Sequence, residues 1–312
     1  MARYLITGGA GFIGSNIVDE LLRRGEQVTA LDNLATGHER NLEAVRDRIK
    51  FHKLDIRDLD QIRPVFMDQD YVIHLAALPS VPRSVADPIT SNAVNLDGTL
   101  NVLVAARDAK VKRLVFSASS SAYGDNPVLP RVETHAPRPL SPYALTKLAG
   151  EYYCRIFTNL YGLETVALRY FNIFGPRQDP DSAYTGVLSI FISSYLRGKV
   201  PTIFGDGEQS RDFTFVENAV DATLRACTAP GAAGKVVNVG TGERHTLNGT
   251  IALLNKIFTK NITANYGPIR QGDVRDSHAD IALAREVLGY EPRVRYEEGM
   301  RRTVEWYRTA LA

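Results

Sequence analysis

Tyr143 and Lys147 stand four residues apart in the segment SPYALTK. Positions four apart share one face of a helix, so an ammonium can sit beside a phenol there. A free tyrosine loses its proton near pH ~10, and a neighbouring cation favours the phenolate. Tyr143 is therefore a candidate general base. The same pair also occurs on ordinary helices, so its meaning depends on its company. Upstream lies SASSSAYG at residues 117–124. Ser119, Ser120 and Ser121 there offer hydroxyls that could bond a sugar alcohol and relay its proton; a serine-rich turn ending a strand is the alternative.

A second chemistry is written near the start of the chain, in TGGAGFIGS. Gly9, Gly11 and Gly14 form G-x-G-x-x-G, and counting from Gly8 gives G-x-x-G-x-x-G. Glycine lets the backbone turn tightly and approach a pyrophosphate, whose charge a helix amino terminus starting near Phe12 and Ile13 would favour. Asp32 closes the next apolar run, where a carboxylate can accept hydrogen bonds from ribose hydroxyls and would repel a 2′-phosphate. NAD is thus expected over NADP, with Asn33 beside Asp32. Asp55 and Ile56 end the following run, where such a fold offers an adenine contact.

These groups need a scaffold. Residues 4–6, 28–31, 51–54, 71–75, 113–118 and 165–170 are short apolar runs alternating with longer helical patterns, which implies a parallel sheet wound with helices on both faces. The expected fold is α/β: a Rossmann-type doubly wound parallel sheet with a smaller, interdigitated α/β substrate-binding domain. The first domain is expected over 1–174 and the second mainly over 175–312. A helix near 186–197 and an apolar run at 202–204 belong to the second, while residues 236–240 read as a strand returning to the large sheet. The hydroxyl cluster then falls at the carboxyl end of a strand, the edge where ligands bind in such sheets.

The 312 residues, 44% hydrophobic and 23% charged, suit a globular enzyme, and a net charge of +2 spread without basic blocks argues against nucleic acid. No apolar run reaches membrane-spanning length, and the opening residues run straight into a strand and turn, so a cytoplasmic protein is expected. Cys154 and Cys227 read as reduced thiols without chemistry, and His38, His52, His74, His135, His245 and His278 lack paired metal spacing, so no metal site is expected.

TGGAGFIG, SASSSAYG, SPYALTK and RYFNIFGPRQ, in that order, together resemble the extended short-chain dehydrogenase/reductase family and its nucleotide-sugar epimerases. LPSVPRSVADPI, GDGEQSRDF and GDVRDSHADI look like bacterial UDP-N-acetylglucosamine 4-epimerases. The resemblance spans essentially the whole chain. It implies that Tyr143 takes the proton of the sugar 4-hydroxyl while C4 passes hydride to NAD, a serine of 119–121 assisting; the 4-keto sugar then turns over and recovers the hydride. It further implies that Leu75, Ala76, Ala77 and Asn95 line the cofactor cleft with Tyr143 and Lys147. Asn172, Arg211 and Arg270 would hold the diphosphate, guanidinium forks suiting phosphate oxygens; Ser80, Ser121 and Ser277 would face the sugar. Related dehydratases and decarboxylases carry an acidic residue between the catalytic hydroxyl and the Tyr-Gly, where Ser120 and Ser121 stand, which ranks an epimerase first. The resemblance further implies a steric gate at Ser277, where a small residue leaves room for a 2-N-acetyl group. UDP-glucose, UDP-galactose and UDP-glucuronate stay open as substrates. Pro79 departs from the glycine common before the serine of the SVPRS loop and removes a backbone donor. A non-catalytic NAD-sensing scaffold is the rival from another class; the presence of Tyr143, Lys147 and Ser119 argues against it. The apolar stripes of residues 96–106 and 143–160 imply a homodimer through a four-helix bundle.

Overall fold

The computed structural model describes residues 1–180, 186–269 and 274–310. Seven parallel strands form its central sheet: β1 (Arg3–Thr7), β2 (Gln27–Leu31), β3 (Lys50–His52), β4 (Tyr71–His74), β5 (Arg113–Ser119), β6 (Glu164–Tyr170) and β7 (Val236–Val239). Their spatial order is β7-β6-β5-β4-β1-β2-β3. The chain thus has the doubly wound, Rossmann-type α/β fold, and strand order reverses between β1 and β4, the crevice where this architecture receives ligands. Leu5, Ile6, Val72, Ile73, Leu114 and Phe116 are buried, as expected of strands covered on both faces. Helices Phe12–Arg23 and Val216–Thr228 cover one face; Leu59–Phe66, Gly98–Asp108 and Pro142–Tyr161 cover the other.

β3 ends at His52, short of the expected residue 54. It is the edge strand, and the chain leaves it into the loop that carries Asp55.

Past residue 175 the elements are smaller. Thr202–Phe204 pairs with Asn265–Gly267, and Ser210–Arg211 lies between His245–Thr246 and Asp276–Ser277. Phe174, Phe213, Phe215 and Tyr296 pack edge-on or stacked beneath them. This part of the chain gives the large sheet a helix as well as β7: Arg113 of β5 donates from Nη1 to the carbonyls of Ala226 and Ala229, at 3.0 and 2.8 Å, around the end of Val216–Thr228. Buried Asp212 ties the end of β7 to the small sheet, accepting from Thr241 N, Thr241 Oγ1, Gly242 N and Ala279 N. No described helix is long and apolar enough to cross a membrane.

Candidate active site

A cleft of about 1080 Å³ runs along the carboxyl edge of the sheet, from the glycine turn to the small sheet. Gly8 N donates to Leu31 O at 2.7 Å and Gly11 N to Gly8 O at 3.1 Å, which folds the turn between β1 and its helix. Gly8 has a φ of +74°, and a Cβ on it would stand 2.8 Å from Ala76 N; a Cβ at Gly14 would run into the Gly8 carbonyl oxygen. The turn therefore closes only without side chains. Gly11 caps the helix without a side chain, and Gly11, Phe12, Ile13 and Gly14 line the cleft, so the N–H groups of the first turn can meet a pyrophosphate there. Asp32, 7% exposed, accepts from Ala10 N on one oxygen and Leu34 N on the other, at 3.0 and 2.8 Å. Burial pushes its pKa up against those two hydrogen bonds. Asp32 and Asn33 line the cleft, leaving carboxylate lone pairs for ribose hydroxyls. A glycine cradle, an open helix amino terminus and a fixed carboxylate fit a dinucleotide.

Leu75, Ala76, Ala77 and Ile56 also line the cleft. Asp55 is held by Arg57 at 2.7 Å and by Asn33 Nδ2 at 2.9 Å, and the Arg57 guanidinium pulls its pKa down to about 2; Arg57 itself reaches the cleft. Asn95 lies in a π-helical turn, Ala93–Asp97. It accepts from Leu78 N at 2.7 Å and donates to Leu78 O at 3.3 Å. Asn95 thereby pins the backbone of Leu78, which lines the cleft.

Ser141 caps the helix Pro142–Tyr161 by accepting from Ala144 N at 3.2 Å, and proline at its first position costs no hydrogen bond. The next N–H, of Tyr143, goes to Ser84 Oγ at 3.1 Å, so the short helix Val81–Ala86 fixes where the phenol starts. Ser119 stands beside the Tyr143 phenol and works to lower its pKa, and the Ser119 Oγ accepts from Ser121 Oγ at 2.8 Å and Ser121 N at 3.2 Å. Lys147, 3% exposed, donates from Nζ to Ser117 O at 2.6 Å, above the Phe116 ring. Burial pulls the Lys147 ammonium down to about 8. The sequence had Lys147 drawing the phenol toward neutrality. In the chain itself burial dominates and raises the Tyr143 pKa, with Ser119 alone working the other way; desolvation disfavours phenolate, and the ammonium is occupied by the Ser117 carbonyl.

Ser80, Ser120, Ser121, Asn172, Arg211 and Ser277 line the other part of the cleft. Ser80 caps Val81–Ala86 by accepting from Arg83 N at 3.0 Å, which leaves its O–H for a ligand. Asn172, at φ +38°, donates to Asp212 O at 2.9 Å and to Ser277 Oγ at 3.4 Å. Arg211 pairs with Ser277 across the small sheet, and its Nη1 donates to Ser210 O and Arg275 O. Arg270 lies outside the described residues. Sequence reasoning passed over Arg83, Arg131 and His38, which also line the cleft. Arg131 is buried, its Nη1 donating to Val128 O at 2.9 Å; no local motif marks it, because a backbone pairing with Ala279 brings it there.

Known proteins share this sequence pattern and fold. Residues 4–240 match the model of the "NAD dependent epimerase/dehydratase family". The chain is 41% identical to the UDP-glucose 4-epimerase of Mycolicibacterium smegmatis over 98% of both chains. Its fold superposes with a TM-score of 0.95, at 40% identity, on the UDP-glucose 4-epimerase of Thermotoga maritima solved with UDP-glucose, covering 99% of this chain and 100% of that one. The same TM-score of 0.95 and 40% identity hold for the UDP-N-acetylglucosamine 4-epimerase of Methanobrevibacter ruminantium solved with UDP-N-acetylmuramic acid, covering 99% of each. The chain belongs to the NAD dependent epimerase/dehydratase family, and beside UDP-sugar 4-epimerases it stands as an NAD-dependent isomerase.

Proposed function

We propose that this protein inverts C4 of a UDP-hexose, with UDP-N-acetylglucosamine and its C4 epimer as the preferred pair. The observation that carries the reading is the hydroxyl pair Tyr143–Ser119, set in one cleft with the glycine turn on one side and Ser277 on the other. Tyr143 accepts the proton of the 4-hydroxyl and returns it, and Ser119, fed by Ser121, holds the phenol and the sugar oxygen in line. Lys147, one helical turn beyond Tyr143, keeps its positive charge below about pH 8. NAD, held by Gly8, Gly11, Gly14 and Asp32, supplies when bound the acceptor and donor for the C4 hydrogen and a positive ring charge beside the phenol. Arg211 and Asn172 are assigned to the diphosphate, and Ser80 and Ser277 to the sugar. The absence of a carboxylate at Ser120 and Ser121 supports inversion over elimination or decarboxylation.

The sugar preference rests on Ser277, whose small side chain at the cleft leaves room for a 2-N-acetyl group. UDP-glucose and UDP-galactose are the second reading, favoured by the relatives above. UDP-N-acetylglucosamine, UDP-glucose and UDP-glucuronate, each assayed against its C4 epimer, distinguish them. Ser277→Tyr is expected to lower turnover of the N-acetylated pair at least tenfold relative to the plain hexoses, the order of a single well-placed steric contact. Equal loss on all three sugars would remove the gate.

The proposal divides the chain into an NAD-binding part over 1–174 with 236–240, and a substrate-binding part over most of 175–312. Its compartment is the cytoplasm, where buried Cys154 and Cys227 stay reduced. Its assembly is a homodimer through the helices at residues 96–106 and 143–160.

A further inference from the structure

The short segment Pro176–Asp179, just past the last of the residues assigned to the sheet half, crosses back to the glycine-turn helix and is fastened at three points. Asn16 Nδ2, held by Phe12 O at 2.9 Å, also donates to Pro176 O at 3.2 Å. Arg177 Nη2 donates to Asp19 Oδ2 at 2.6 Å. His38 Nε2 lies 3.0 Å from Asp179 Oδ2. Asn16 and Asp19 belong to the helix Phe12–Arg23. His38 ends the loop that begins at Asp32, and its own N–H is hooked to Ala10 O at 3.0 Å inside the glycine turn. From its other side the segment is anchored where Tyr307 Oη donates to Gln178 O at 2.7 Å.

Arg177 is not glycine, yet its φ is +71°. An arginine in that left-handed region costs on the order of 1 kcal/mol, and it persists only where surrounding contacts hold it. The side-chain tie to Asp19 and the flanking bonds at Pro176 and Gln178 do so. His38, Gln178 and Asp179 all line the cleft, on the side where the glycine turn and Asp32 lie. Two loops from opposite parts of the chain therefore meet across the dinucleotide end of the cleft through one imidazole and one carboxylate.

We propose that Pro176–Asp179 is a retaining strap for the dinucleotide, and that its ties to Asn16, Asp19 and His38 set how slowly the cofactor leaves. The inference rests on the NAD reading of the cleft. An enzyme that takes a hydrogen from a sugar and gives it back needs its cofactor to stay between the two halves of the reaction. The strap supplies that residence from the protein side, without touching the reacting atoms. Asn16, Asp19, His38, Arg177 and Asp179 are thus positioning residues for the cofactor.

The test uses the holoenzyme loaded with 1,N6-etheno-NAD, diluted into excess NAD, with release followed by fluorescence. Asp19→Asn combined with His38→Gln is expected to speed release on the order of tenfold, the scale of losing one charged hydrogen bond and one partly exposed pair. Asp19→Glu, which keeps the carboxylate, should recover most of the retention. His38→Gln alone, at a half-exposed position, is the milder variant should the double variant not fold. Thermal unfolding of each cofactor-free variant separates a loosened strap from a damaged fold: the proposal requires faster release at an unchanged midpoint. Release at the wild-type rate from variants that fold and load normally overturns the strap and leaves the NAD reading standing. A wild-type protein that takes up no etheno-NAD overturns both.

Discussion

Tyr143 sits in a site that by itself opposes its ionisation. Burial raises the phenol, and Ser119 is the group in the chain that counters it. Tyr143→Phe should keep the cleft and its cofactor yet lose turnover by on the order of 100-fold or more, the range of general acid–base catalysis; measured kcat with retained cofactor absorbance checks this, and unchanged turnover would remove the base. His74 gives a second residue-scale expectation. It is buried at the end of β4, between β1 and β5, with Nδ1 2.7 Å from Thr7 Oγ1 and Nε2 3.0 Å from Thr99 Oγ1. Burial, then Lys147, pulls its pKa down to about 3. The unfolded ring protonates near ~6.5, so between those values the unfolded chain binds the extra proton. The His74 contribution to stability is whole above pH ~6.5 and is lost as pH falls toward 3, by on the order of a few kcal/mol. In NMR titration its ring should stay neutral below pH 5, whereas titration near the ordinary value would contradict the buried, uncharged state.

At the scale of elements, what could be read from the sequence was what local spacing writes. The glycine turn, the short apolar strands and the Tyr143–Lys147 helix each follow from residues adjacent in the chain, so their types and positions were legible. The tie of Asn95 to the Leu78 backbone was not legible, because Asn95 sits in a π-helical turn that no periodicity announces. The end of β3 and the helix Val216–Thr228 on the large sheet likewise depend on neighbours far away in sequence. The helix Pro142–Tyr161 carries two duties. Its inner face holds Lys147, Glu151 and Cys154 against the sheet, with Glu151 paired to Arg169 at 2.7 Å in full burial. Its outer face leaves Leu145, Tyr152, Ile156, Leu160 and Tyr161 exposed, more apolar surface than a solvated helix presents. That face supports the proposed homodimer. Ile156→Glu should lower the mass measured by light scattering from dimer to monomer while leaving far-ultraviolet circular dichroism unchanged; a monomeric wild-type protein would contradict the proposal.

On the scale of the whole molecule, the cleft is assembled from both ends of the chain. The first half brings the glycine turn, Asp32, Ser119 and Tyr143, and the second brings Asn172, Arg211 and Ser277. Ties such as the His38–Asp179 pair and the Arg113 bonds to the carbonyls of Ala226 and Ala229 lock the two together. Only the topology of the sheet brings these parts within reach, which is why the cleft's full lining, Arg131 and His38 included, lay beyond sequence reading. The central claim is that this cleft removes and restores the same hydrogen at C4 of a UDP-sugar. The most direct measurement incubates the enzyme with UDP-N-acetylglucosamine in deuterium oxide and follows the sugar by proton NMR. The account predicts that the C4 epimer appears with its C4 hydrogen undiluted by deuterium. Deuterium at C4, or a product that has lost water in place of an epimer, would contradict it.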